Sequence, residues 1–335
     1  MVNLRFHIVS LTAVFLALAV GIFMGSTLLQ RATVDSLKAR QRSLESKIDQ
    51  RVTENDAFRA ALGVADKSDA EFETDVLPLM LNDQLRDPVV LVGIRGIDEG
   101  TVTKLASELR SAGSPSVQTV WLGPQADSSS AGSRRTLAAA LSLSDTADAS
   151  VIRNAFMKRM GEILIPPAVD NTTTTVPGAP SSADERTAKL QALDTAGVVQ
   201  WSASTSGTRA LAASTPRVVV LSGEGASVPD QQLAIPLLRE LSRTKGVASA
   251  VEVMSPRSSV GQIEREISGA KPVRGDFIKD VRADDTLDGS VNTIDDGDLV
   301  YGRLALVLVL AQGPDAKIGH YGQTDQADQQ FPSNS

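Results

Sequence analysis

The sequence predicts an α/β fold in which an N-terminal transmembrane helix and a coiled-coil stalk are followed by a largely parallel sheet covered by helices. Three observations carry this. The first is an uncharged apolar run near the N-terminus, the second a heptad pattern directly behind it. The third is a grammar repeated three times in the remainder: amphipathic helix, glycine, apolar strand. That grammar reads LASELRSAG then SVQTVWL, LQALDTAG then VVQWSA, and LLRELSRTKG then VASAVEVM. Gly113, Gly197 and Gly246 are each expected at the left-handed position just past a helix end. Further buried strands are expected at 88–94, 217–221 and 304–310, and helices alternating with such strands imply a parallel sheet covered on both faces.

The apolar run extends from Ile8 to Leu29, 22 residues without a charge. A helix needs roughly 20 residues to cross about 30 Å of hydrocarbon. The alternative is a cleaved signal peptide, whose apolar core would be about 7 to 15 residues and would end in a small-residue cleavage site. Ala13, Ala17, Gly21 and Gly25 recur every fourth residue, so one face carries only small side chains and would let two helix backbones approach. Ordinary small-residue content of membrane helices is the competing explanation.

Behind the span, Val34, Leu37, Gln41, Leu44, Ile48, Arg51, Asn55, Phe58 and Leu62 follow the 3,4 spacing of a coiled-coil seam. Gln41, Arg51 and Asn55 weaken the seam, and one buried Asn can fix register and strand number. The expected partner is a second copy, giving a parallel homodimer. A single amphipathic helix lying on its own globular domain is the other reading. Gly63 is expected to end the helix.

The domain plan is therefore an anchor at 1–30, a stalk at 31–63, a first α/β half at 85–165, a linker or loop at 166–186, a second half at 187–322 and a polar, disordered tail at 323–335. The linker is rich in Pro, Thr and Ser, a composition that buries no core. Net charge is −7 and cysteine is absent. The charge repels nucleic acid as a partner, and the lack of cysteine excludes disulfides, thiolate metal sites and a Cys nucleophile.

Motifs for chemistry are missing. Gly223 and Gly225 are followed by Val228 where a third glycine would complete a dinucleotide fingerprint, and Gly93, Gly96 and Gly100 have the wrong spacing. Both are read as tight turns between strand and helix. His7 and His320 are the only histidines, and no nucleophile elbow or P-loop accompanies them. The chain is not expected to be an enzyme. The acidic stretch 284–295 agrees in part with a calcium loop, but Asp295 stands where a bidentate Glu is usual, so a D-G turn between strands is preferred. Met157 and Met160 share a helix face and are read as core.

The N-terminal RFHIVSLTAVFLALAVGIFMGS resembles the start of the MctB family, the mycobacterial-type copper transport protein B group of actinobacteria. Asp295-Asp296, then GRLALVLVLA at 302–311, then Gly319-His320-Tyr321-Gly322 resemble that family's C-terminal pattern. The resemblance implies an actinobacterial envelope protein of the cell membrane or outer membrane, linked to copper transport, homeostasis and resistance. It also implies an extracytoplasmic bulk, against the basic residues Arg31, Lys38, Arg40, Arg42 and Lys47, which by the positive-inside rule favour a cytoplasmic one. Related members resemble septal factors with partners in cell-wall hydrolysis and division, so a non-catalytic scaffold is the competing function.

From the residues no cofactor is expected, and copper enters through the resemblance alone. Its weak ligand candidate is His320, to be completed by Met side chains or other chains. The 319–322 motif is otherwise read as a structural turn or contact surface.

Overall fold

A computed structural model describes residues 4–165, 182–202, 216–243, 247–254, 276–314, 317–323 and 327–332. Most of the Pro/Thr/Ser-rich linker and Gly246 lie outside the described residues. The chain divides into two compact units, Met1–Ala70 and Glu71–Ser335.

The first unit is one helix. Helix α1 runs unbroken from Leu4 to Glu71, 68 residues, or about 100 Å at 1.5 Å per residue. Within it Phe6–Gly25 is long and apolar enough to cross a membrane, and its side chains face outward. Gly21 and Gly25 have open space where a Cβ would stand, which leaves their face free for close approach by another helix. Leu37, Leu44 and Ile48 are also exposed, at 58–60%, while Asn55 is exposed and Phe58 and Leu62 are intermediate. The side chain of Val34 lies outside those described. The expected stop at Gly63 is not observed: the helix continues through it. A helical Gly costs only about 1 kcal/mol against Ala, and the helix formers on either side outweigh that.

The second unit opens with a π-helical turn, Phe72–Val76, and a short helix α2, Leu77–Leu81. Pro78 explains the widened turn. It has no N–H to offer the carbonyl of Thr74, and the Leu77 N–H reaches back five residues to the Phe72 carbonyl.

A single seven-stranded sheet follows, in the order β3-β2-β1-β4-β5-β6-β7. The strands are β1 (Val89–Ile94), β2 (Val117–Leu122), β3 (Val199–Ser202), β4 (Arg217–Ser222), β5 (Ala248–Glu252), β6 (Asn292–Ile294) and β7 (His320–Tyr321). All neighbours pair in parallel except β2 and β3. The two α/β halves thus supply strands to one sheet.

Alternate residues of the central strands enter opposite cores. Val90, Val92, Val218, Val220 and Ala250 pack with α4 (Ala131–Ala140), α5 (Ala149–Leu164), α6 (Ser182–Thr195), α7 (Ala234–Leu241) and α8 (Asp276–Arg282). On the other face, Val89, Leu91, Val219, Leu221 and Ile294 pack with α2, α3 (Glu99–Ser111) and α9 (Val300–Ala311). Burial on both faces is why the strands read as continuous apolar runs rather than alternating ones. Gly113 and Gly197 take positive φ, 96° and 68°, as a helix end followed by a strand requires. Met157 and Met160 lie in the first core beside Phe156.

Two elements differ from expectation. The run at 304–310 is not a strand but most of α9, a helix buried nearly all round. Apolar periodicity cannot separate a buried strand from a buried helix, and here the stretch 303–311, free of Gly and Pro and rich in Leu and Ala, favours the helix. The D-G turn at Asp288-Gly289, with Gly289 at φ 69°, joins helix α8 to β6 rather than two strands.

The helix assignment has a mutational signature. Leu306 is fully buried, whereas Leu308 is only partly so, although a strand would place both on one face. Leu306→Ala is expected to cost about 2–5 kcal/mol and Leu308→Ala under about 1.5 kcal/mol, measured by urea unfolding. Equal costs would favour a strand.

Candidate functional site

Open α/β sheets bind ligands outside the carboxyl ends of their strands where the strand order reverses. Here that place lies between β1 and β4. The Ser227 N–H donates to the Arg95 carbonyl at 2.6 Å, and a Cβ on Gly96 would overlap the Gly225 carbonyl oxygen. Backbone against backbone fills the crevice. Both glycines have positive φ, so the near-fingerprints are tight turns whose glycines serve each other's approach.

Polar groups gather instead at the carboxyl end of β6. Asp295 is completely buried. Its Oδ1 accepts the Gln323 N–H at 3.0 Å, and its Oδ2 lies 3.6 Å from Nη1 of Arg282, the last residue of α8. That gap is an ion-pair distance rather than a hydrogen bond. Burial pulls the Arg282 guanidinium below its ordinary value, although Asp295, Asp328 and Glu252 oppose this. Gly322, with φ 137°, passes so close that a Cβ would overlap the Asp295 carboxylate. Only glycine fits there.

Around this carboxylate the Asp295-Asp296 and 319–322 segments come together. Thr293 pairs with His320 and Ile294 with Tyr321 across β6 and β7. The Thr293 hydroxyl accepts from Arg282 Nε at 2.8 Å and shares a hydrogen bond with His320 Nδ1 at 2.9 Å. His320 Nε2 then donates to Asp288 Oδ1 at 3.2 Å. Both ring nitrogens are thereby engaged. Tyr321 is buried in the second core, which raises its phenol above the usual range. The motif 319–322 is therefore an edge strand with its turn. Along its outer side Asp328 N–H donates to the His320 carbonyl at 2.9 Å, and Tyr321 bridges Gln329.

One residue further along, Gly302 in the first turn of α9 lies directly against Asp296, whose backbone oxygen a Cβ at 302 would overlap. Arg303 follows, 3% exposed. Its Nε donates to both Glu108 oxygens at 2.9 and 3.0 Å, its Nη1 to the Asp298 carbonyl at 2.8 Å, and its Nη2 meets Glu73 at 3.0 Å. Burial raises the Glu108 carboxyl even with Arg303 beside it. Arg282, Arg303 and Glu73 were not singled out by motif reasoning. The available signal was one charge, Arg303, at the head of an otherwise apolar run.

Among the described residues no group of three or more His, Asp or Glu side chains is placed to hold a metal. His320 is the weak copper candidate, and its neighbours within hydrogen-bond reach are a hydroxyl and a carboxylate, hard ligands unsuited to Cu(I).

Fold and site define the class: a doubly wound α/β domain behind one helix fit to cross a membrane, with a buried polar joint at the sheet edge. The chain belongs to the MctB family. The family model described as "Copper transport outer membrane protein, MctB" matches residues 1–332. The proteins named "Copper transporter MctB" of Mycobacterium bovis and Mycobacterium tuberculosis are each 25% identical over 326 residues, 96% of this chain and 96% of theirs. These relatives are named as transporters, not enzymes.

The donor set predicts that the purified chain, loaded with Cu(I) and desalted, retains no stoichiometric copper by elemental analysis. One copper per chain in the wild type, lost in His320→Ala, would make His320 a ligand.

Proposed function

We propose that the chain is a single-pass envelope protein that serves copper transport and homeostasis, with its α/β domain outside the cytoplasm and its stalk paired with a second copy. The carrying observation is the family match, which runs from the first residue nearly to the last and so includes both anchor and domain. The apolar helix at Phe6–Gly25 supports a single crossing. The exposed Leu37, Leu44 and Ile48, following a face of small residues, support pairing.

The chain does not form the copper path alone in this reading. A pore needs a closed barrel or several spanning helices, whereas these strands are buried on both faces by helices. The domain acts by contact with other envelope components, and the anchor places it.

A deletion strain tests this. Wild-type chain should restore growth in copper and cell-associated copper content. Removal of residues 6–25, or Leu44→Asp with Ile48→Asp, should not, and the double variant should run as a monomer by light scattering in detergent. Normal copper handling in the deletion strain, together with failed cell separation, would replace this reading with a scaffold in division.

A further inference from the structure

The helix that leaves the first unit enters the domain through its least regular turn. Phe72–Val76 is π-helical, and three contacts fasten it and the helix after it. Phe72 stacks on Tyr301 of α9, ring centroids 5.9 Å apart, and Tyr301 in turn meets Phe331 at 6.4 Å. Leu77 and Leu81 are buried in the second core. Glu73 pairs with Arg303 at 3.0 Å and also with Lys104 of α3. Of these, the Arg303 contact has no slack. A buried guanidinium must keep its acceptors, and it takes one from each of three segments: Glu73, Glu108 and the Asp298 carbonyl.

The same Arg303 is tied to the far edge of the sheet. The turn carrying the Asp298 carbonyl begins at Asp295 and Asp296. Asp295 is pinned by the Gln323 N–H and the passing backbone of Gly322, and its own N–H donates to the Tyr321 carbonyl at 3.2 Å. Asp296 is pinned against Gly302, the residue before Arg303. Any displacement of the 320–323 segment therefore moves the 295–298 turn, and with it one of the three acceptors on which Arg303 depends. Interiors packed this closely transmit such shifts rather than absorbing them.

We propose that Arg303 is the joint of a conformational relay: the seating of the Asp295–Asp298 turn beneath His320–Gly322 sets Arg303 on Glu73 and so locks the π-helical turn Phe72–Val76. The turn is the element with two arrangements. Locked, it holds the five-residue register that Pro78 requires; unlocked, Phe72 and Glu73 leave α9 and the segment 72–81 opens locally. A partner that touches the His320 edge would in this way change the segment next to the long helix, whether or not copper is bound. The relay stands apart from the copper reading, because it is argued from Arg303, Glu73 and the Asp295–Asp298 turn and invokes no metal.

Hydrogen–deuterium exchange on the full chain in detergent tests it. Glu73→Gln should speed exchange of the 72–81 amides on the order of tenfold, and Asp295→Asn, of nearly native volume, should do the same from the far edge. The double variant should exceed neither single one, since both act on one joint. Amides of β1 and β4 report that the fold is kept. Should Asp295→Asn loosen β1 and β4 as well, His320→Ala, on the rim of the same edge, replaces it with the same expected effect on 72–81. Faster exchange confined to 292–323 in the edge variants, with 72–81 at the wild-type rate, overturns the relay.

Discussion

The seating of α9 on the Asp295–Asp296 turn is the contact from which the rest of the domain takes its arrangement. Its first turn has no room for a side chain at Gly302, and its next residue carries a charge that must be satisfied inside the second core. Once Gly302 lies against Asp296 and Arg303 reaches Glu108, Glu73 and the Asp298 carbonyl, α9 covers that face of the sheet. It also holds the entry segment 72–81. A buried charge of this kind is a poor source of net stability, but removing one of its partners is costly. It therefore specifies one arrangement more than it strengthens it.

The same physics explains what the candidate site is. At the carboxyl end of β6, Asp295, Arg282, Thr293, His320 and Asp288 are joined in one chain of polar contacts. His320 has both nitrogens engaged, by Thr293 and Asp288. The crevice at the strand-order reversal is closed by the Gly96 and Gly225 loops.

Much of the fold was legible in the sequence because most strands are buried on both faces and bounded by glycine. The segments that became β1 to β5 were located by apolar runs, and Gly113 and Gly197 marked two helix ends through their positive φ. The rest was hidden for physical reasons. Helix α9 is apolar on nearly every side, so no period distinguishes it from a strand. Asn292–Ile294 and His320–Tyr321 are too short and too polar to announce strands, and only tertiary pairing makes them so. At the site, the glycines and His320 of the 319–322 motif could be named, but not that Gly322 would pass over Asp295. Arg282, Arg303 and Glu73 are far apart in sequence, and nothing local predicts their partners.

The contact at Gly302 is open to a direct measurement, the thermal and urea unfolding of Gly302→Ala beside Gly132→Ala. A Cβ at Gly132, in α4, would find no atom closer than 3.9 Å, whereas one at Gly302 would overlap the Asp296 backbone. Both add one methyl to a helix, where Ala is otherwise favoured by about 1 kcal/mol. Gly132→Ala is expected to be neutral or stabilising, and the close contact with Asp296 makes Gly302→Ala lose more than about 3 kcal/mol. A Gly302→Ala protein as stable as the wild type would contradict that contact.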